Sequence, residues 1–469
     1  MANPIWGKLH DELFSITPLD GRYYAELKEL AEYFSEYALI RERVFVEIEY
    51  LKFVSTRMGL KVNEKDLSKL GILKNNFSIS DAKRIKAFEK KVEHDVKAVE
   101  LYLTTRLTEF KELLPFIHFG LTSEDINNLA YGRLLKRFVS NVLTPIIKML
   151  ISQLTELAER YHDAAMLSRT HGQPASPTTF GKEVSVFAYR LTNKLMAIRD
   201  FKFVGKLNGA VGNYNALAVA IPDVDWLEES KAFVRSLGLE PVVVTTQILP
   251  HDHYSELLFH IQSANNIVNS LNRDLWMYYS YGYFKLESDK FEVDSSTMPH
   301  KVNPKELENS EGNLELANAL LGMMSSRLQI SRMQRDLSDS TIKRNYGAAF
   351  GFTILGYKRT MNGIKRLKVN KQRLIEDIRL HPEVFSEALQ TIMRREGLPN
   401  AYFKVRSRIR GKALTLKDLF VIAEKIKLSK AGRNSLQNAI KTNYVGLASN
   451  ITLATVNEIR QYLKLINHQ

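Results

Sequence analysis

The sequence predicts an all-α protein of three helical domains organised on a central bundle of long helices, and three observations carry this. Apolar residues recur at steps of three and four through Leu257, Ile261, Ala264, Val268, Leu271, Leu275, Tyr278 and Gly282, and no proline interrupts residues 251 to 298. Such a seam is the buried stripe of one continuous helix, roughly 40 Å long at about 1.5 Å per residue. The same spacing recurs at Ile147, Leu150, Leu154, Leu157 and Tyr161, and again at Phe180, Val184, Phe187, Leu191 and Ile198. Strand signals are sparse; the best, Pro241 to Thr246, is too short and isolated to found a sheet.

Taken in order, residues 1–118 alternate short helical patterns with breaks at Pro4, at Pro18 with Gly21, at Gly59 and at Gly71, which predicts a small N-terminal domain. From Thr122, Ser123 and Asp125, all capping residues, the long seams begin, and 119–367 is predicted to be the bundle. A second apolar stripe on these helices would imply subunits sharing that bundle. Beyond Asn370 the patterns shorten and are interrupted at Pro382, Pro399 and Gly411, so 368–469 is predicted to be a third, basic helical domain.

A chain of 469 residues with 45% hydrophobic content can bury a sizeable core, and the absence of cysteine excludes disulfides and thiolate chemistry. The N-terminus lacks the order of a signal peptide and no apolar run approaches the ~20 residues of a membrane span, so a cytoplasmic protein without a membrane partner is expected. The formal charge is +14, concentrated in the last fifth of the chain. That balance suits an anionic metabolite, a nucleic acid or simply a well-solvated surface.

Chemistry-bearing residues concentrate in the loop Asp294-Ser-Ser-Thr-Met-Pro-His-Lys-Val-Asn-Pro304. Asn303 is placed to cap the next helix, with Pro304 at its first position and Glu306 three residues past the cap. Ser295 and Ser296 precede Lys301, whose ammonium could favour a serine alkoxide or hold a carboxylate; a plain Ser/Pro turn has the same composition. Ser168-Arg-Thr-His-Gly-Gln-Pro-Ala-Ser-Pro177 holds His171 among polar neighbours, where an imidazole can deliver a proton to a leaving nitrogen or serve only the loop. Thr122 to Asn128 offers hydroxyls and amides beside a helix N-terminus, suited to a carboxylate or to capping alone. His251 and His253 lack a convincing third metal ligand, and neither a Gly-x-Gly-x-x-Gly nor a Walker pattern occurs. No cofactor and no metal are expected.

The string Ser295-Ser-x-Met-Pro-x-Lys-x-Asn-Pro304 resembles the signature of the fumarase/aspartase superfamily, lyases that release fumarate from a substituted succinate. Asp20-Gly-Arg-Tyr23, His94-Asp-Val-Lys97, Thr245-Thr-Gln247 and Gln334-Arg-Asp-Leu-Ser-Asp-Ser-Thr-Ile-Lys-Arg344 are together similar to the adenylosuccinate lyase family in its longer bacterial form. The resemblance runs from about Thr17 to the C-terminus. It implies a homotetramer with active sites shared between subunits, a small nucleotide substrate, and loss of fumarate from adenylosuccinate and from the succinyl-carboxamide ribotide of purine synthesis. By it, Ser295 is the general base and His171 the general acid; Thr122, Ser123, Gln247 and Ser296 hold the succinyl portion, and Lys301 and Asn303 stabilise the carbanion. Arg335, Ser340 and Arg344 offer a phosphate site; Arg22 and Tyr23 join the phosphate and ribose contacts, and His94 and Asp95 approach the purine or imidazole ring and the catalytic histidine. Two positions depart from the family pattern: Asp294 stands where Gly is usual and Glu93 where Asn is usual. A carboxylate facing Ser295 would raise its pKa.

Two rivals are distinguishable. A sister lyase such as argininosuccinate lyase would not need the substrate phosphate. An RNA-binding face could use Lys404, Arg406, Arg408, Arg410 and Lys412, but alternation by two spreads those charges around a helix, which argues for a solvated surface.

Overall fold

The computed structural model describes residues 13, 15–59, 64–287 and 293–467. Pro4 and positions 288–292 of the loop before Asp294 lie outside the described residues. The architecture is all-α, and among the described residues the strands form only small two-stranded ladders. The expected strand over Pro241–Thr246 shrinks to Glu240–Pro241, paired in parallel with Val204–Gly205.

The long seams are buried as predicted. Leu257, Ile261, Ala264, Val268, Leu271 and Leu275 of the Asp252–Ser280 helix are each at most 1% exposed. Ile147, Leu150 and Leu154 of the Thr144–Arg160 helix and Phe180, Val184 and Leu191 of the Phe180–Arg199 helix are buried likewise. Gly282, counted into the seam above, lies past the helix end with φ +75°. There Gly282 N–H donates to Tyr279 and Tyr283 N–H to Tyr278, a Schellman closure that needs the left-handed residue glycine supplies.

The chain divides into two compact units, residues 1–146, 194–265 and 312–356 in one and 147–193, 266–311 and 357–469 in the other. In the first unit the N-terminal segment is less fragmented than expected: Glu36–Arg57 is one helix of 22 residues, and Gly71 lies inside the Glu64–Asn75 helix. Ile40, Val44, Ile48 and Leu51 of the first pack with Ile85 of Ile79–Val92 and Val99 and Leu103 of Asp95–Arg106. A buried polar layer crosses this unit's long helices, where Asn265 Nδ2 donates to Asn318 Oδ1 (3.1 Å) and Thr353 Oγ1 (3.2 Å). Such a layer penalises sliding of one helix past another, because every slip would orphan a buried amide.

The second unit has its own layer, Asn272 Nδ2 to Ser310 Oγ at 2.9 Å and Thr360 Oγ1 to Asn272 Oδ1 at 3.0 Å. Its C-terminal helices are short, as predicted, except for the final Ala448–Asn467 helix of 20 residues. Ile378, Leu389, Met393, Val405, Leu419 and Leu436 form their core, and Ala165 and Leu167, from the segment leading to His171, are part of it.

Glu93 has a conformational explanation. It ends the Ile79–Val92 helix in the left-handed region, φ 51° and ψ 32°, where asparagine and glycine are favoured and a glutamate is strained. Glu93→Gly is therefore expected to raise unfolding free energy by about 1 kcal/mol, read from equilibrium denaturation. Equal midpoints for the two proteins would show that the strain is relieved elsewhere.

Candidate active site

In the first unit, strings far apart in sequence meet. Arg344 Nη2 donates to Asp95 Oδ2 (3.2 Å), and Arg43 Nη2 donates to the same oxygen (2.6 Å). Burial would raise Asp95's pKa, but the Arg43 charge and the Val96 N–H outweigh it, with Arg344 adding to them, and hold the carboxyl below its ordinary range. Asp95 thus clamps two guanidinium groups. His94 is the N-cap of the Asp95–Arg106 helix, and its Nδ1 accepts from Lys97 N–H at 3.1 Å. This bond places the proton of the neutral ring on Nε2. Arg344 Nη1 also donates to Ser340 Oγ (2.9 Å), joining two of the expected phosphate donors. Gln247 N–H donates to Gln334 Oε1 (3.0 Å), and Gln247 Nε2 to the Ala210 carbonyl (3.0 Å), so the Thr245–Gln247 and Gln334–Arg344 strings touch. The Arg22 guanidinium lies over the Tyr23 ring at 5.8 Å.

Thr122 caps the Ser123–Phe138 helix, and its N–H donates to Asp125 Oδ2 at 3.0 Å. Directly after Ser123, two carboxylates are fully buried, and the sequence reading missed what they do. Asp125 pairs with Lys206 (2.9 Å) and accepts the N–H of Asn208 (3.0 Å) and Gly209 (3.1 Å). Glu124 pairs with Lys343 (3.0 Å) and faces Arg335 at 3.6 Å, while Asp339 holds Lys343 at 2.7 Å. Burial alone would lower Lys343's pKa, but the charges of Glu124 and Asp339 hold it above the usual lysine range. Arg335 is thereby seated on an acidic pair. The only advance signal was the string Ser-Glu-Asp at a helix start, which capping explained equally well.

His251 is buried, among the described residues neither of its ring nitrogens is hydrogen-bonded, and burial with the Lys343 charge pushes its pKa down to about 3. His253 stacks on Phe201 and gives its Nε2 to the Lys202 carbonyl.

In the second unit, His171 occupies the tip of a hairpin. Thr170 pairs with Gln173, and the two residues between them, His171 (φ 54°) and Gly172 (φ 74°), both have positive φ, as a type I′ turn requires. The imidazole is therefore presented to solvent by a turn with little freedom. The hairpin is anchored at its base: Arg169 Nη2 donates to Asp377 Oδ2 (2.6 Å), Tyr283 donates its hydroxyl to the same carboxylate, and the guanidinium lies 4.6 Å from the Tyr281 ring centre.

The loop of Ser295 is folded onto itself. Ser295 Oγ accepts the N–H of Met298 (2.9 Å) and Thr297 (3.3 Å), two donors that favour its anionic form. Asn303 does not cap the next helix; that helix runs Lys305–Arg327, and the Pro304 carbonyl accepts its first bond, from Leu307 N–H at 3.0 Å. The Asn303 side-chain nitrogen donates to the Asp294 carbonyl at 2.8 Å, closing the loop. Asp294 has no positive φ, so the substitution of the usual glycine carries no left-handed strain. Its side chain is 2% exposed and pairs with Lys305 at 3.0 Å, which balances the charge beside Ser295. Ser296 and Lys301 stand exposed on the same loop.

Among the described residues no helix is long and apolar enough to cross a membrane. Residues 22–318 match a family described as Lyase, and residues 331–445 one described as Adenylosuccinate lyase C-terminal. The chain is 42% identical over 446 residues to adenylosuccinate lyase of Buchnera aphidicola subsp. Baizongia pistaciae, covering 94% of this chain and 96% of that one. It is 41% identical over 443 residues to adenylosuccinate lyase of Escherichia coli K12, covering 93% and 97%. Among solved structures, 3-carboxy-cis,cis-muconate lactonizing enzyme from Pseudomonas putida superposes with a TM-score of 0.76 at 18% identity, over 94% of this chain and 99% of that one. Fumarate lyase from Mesorhizobium sp. BNC1 gives 0.73, also at 18% identity, over 92% and 97%. Those two establish the fold; the identity across nearly the whole length of this chain and its relatives, together with both family matches, places it in the adenylosuccinate lyase family of the fumarase/aspartase superfamily.

Proposed function

We propose that this chain eliminates fumarate from adenylosuccinate, giving AMP, and from succinyl-aminoimidazole carboxamide ribotide, giving the carboxamide ribotide AICAR. Ser295 removes the Cβ proton, Lys301 and Asn303 stabilise the resulting carbanion as an aci-carboxylate, and His171 protonates the departing nitrogen. Thr122, Ser123, Gln247 and Ser296 hold the succinyl portion; Arg335, Ser340 and Arg344 take the phosphate, Arg22 and Tyr23 join the phosphate and ribose contacts, and His94 with Asp95 borders the base. The observation that carries the reading is the setting of Ser295, whose oxygen already accepts two backbone N–H groups. A free hydroxyl is a poor base in water, and fixed donors favour its alkoxide once the loop excludes solvent.

The division into domains 1–118, 119–367 and 368–469, the cytoplasmic location and the homotetramer belong to the same proposal. Exposed Met149, Val186, Tyr189, Phe259, Leu316 and Met323 on the long helices support the tetramer, since side chains of this size on bundle helices suit burial against further chains. Sites shared between subunits follow from the family resemblance.

The test is fumarate release from adenylosuccinate and from its dephosphorylated nucleoside. We expect turnover with the first and a large loss of kcat/KM with the second, and Arg335→Lys should narrow that gap because it loses the planar fork. Equal turnover of both substrates would overturn the phosphate site, and turnover of neither would favour a sister lyase.

The hairpin anchor gives a further expectation. Asp377→Asn should lower kcat about ten- to hundredfold with KM little changed, because a shift of about 1 Å in a catalytic group costs that much. A variant with full kcat and only a lower melting temperature would assign the anchor to stability alone.

A further inference from the structure

A cavity of about 710 Å³ opens beside the Ser386–Arg395 and Ala401–Ile409 helices, outside the residues assigned to the reaction. It has the size of a small-ligand pocket. Buried Val405 and Ile409 give it an apolar floor, and the Tyr402 ring stands at its edge. Arg406 and Arg410, one helical turn apart, line it, and among the described residues neither guanidinium has an acidic partner. From the other helix come Gln390 and Glu387. The Gln390 side-chain nitrogen donates to the Thr391 hydroxyl at 3.2 Å.

These features order an occupant from end to end: an anion at the arginines, a flat apolar ring over the floor, and an amine facing Glu387. A dicarboxylate fits poorly, because Glu387 would repel its second charge. We propose that the cavity is a second, regulatory site for an aminopurine nucleoside monophosphate.

Glu387 connects this site to the His171 hairpin. Its Oε2 accepts the Ser176 hydroxyl and that of Tyr444 (3.1 Å), and the Ser176 carbonyl accepts from Ser168 Oγ at the hairpin's base. A ligand amine drawn to Glu387 competes with Ser176, loosens the hairpin and inhibits turnover without displacing substrate. This inhibitory consequence rests on the proposed role of His171; the binding site does not.

Equilibrium dialysis of the full chain with radiolabelled AMP tests the site. The double variant Arg406→Gln/Arg410→Gln, changed only at exposed positions, is expected to bind one AMP per chain fewer than the parent. Equal stoichiometry overturns the proposal, whereas failure of the lyase reading would lower both values together and leave their difference. Kinetically, AMP should show mixed inhibition of the parent and purely competitive inhibition of the variant. Competitive inhibition of both would overturn the coupling to the hairpin.

Discussion

Replacement of His171 by asparagine or alanine is expected to lower kcat by about 10²- to 10⁴-fold while thermal stability stays near that of the parent, since positioned proton transfer contributes on this scale. The structure makes this test clean. The side chain is exposed at the tip of a two-residue turn, so its removal opens no cavity. Asparagine tolerates the left-handed backbone of that position, so the Asn variant separates the lost imidazole from any change in the turn. If sites are shared, mixing His171→Asn chains with Ser295→Ala chains should restore part of the activity after subunit exchange. Near-parental kcat in the Asn variant would remove the general-acid assignment, and verified mixed tetramers without recovery would place each site within one chain.

The largest expected effect on stability is at Lys343. Its ammonium is 3% exposed and lies between Glu124 and Asp339, with the Tyr131 ring at 5.3 Å. Lys343→Met should destabilise the fold by about 3–5 kcal/mol, because it takes the nearest cation from two buried carboxylates and leaves them only the more distant Arg335. Adding Glu124→Gln should recover part of that loss, which equilibrium denaturation would read as a non-additive pair. A single variant within about 1 kcal/mol of the parent would show that water replaces the ammonium. The same cluster sets the acid response. His251 has a folded pKa of about 3, below its unfolded value, so the unfolded chain binds a proton that the native chain refuses. Stability from this residue is present above the unfolded histidine pKa of about 6.5 and is lost progressively as pH falls below it. Asp339, also depressed, loses its contribution at lower pH, as it approaches carboxylate titration.

The burial pattern of the long helices was legible residue by residue, because a seam at steps of three and four leaves a helix one face to bury whatever its partners are. Leu257 through Leu275 are buried for that local reason. Motif order was legible too: Ser295 to Pro304 and Gln334 to Arg344 identify a family because their side chains are specified by chemistry at fixed spacing. Local rules misled at two positions. Asn303 had the sequence of an N-cap, yet its amide ties the loop at Asp294, and the helix starts without it. Gly71 had the look of a break and sits inside a helix.

By itself the sequence determined the helical class, the family and the candidate acid and base, all of which depend on periodicity or on contiguous strings. Only the tertiary structure decided that Glu124 meets Lys343 across 219 positions, that Asp95 clamps Arg43 and Arg344, and that Asp377 anchors the hairpin of His171. A buried charge must find an opposite charge wherever the fold supplies one, and no spacing rule links residues so far apart.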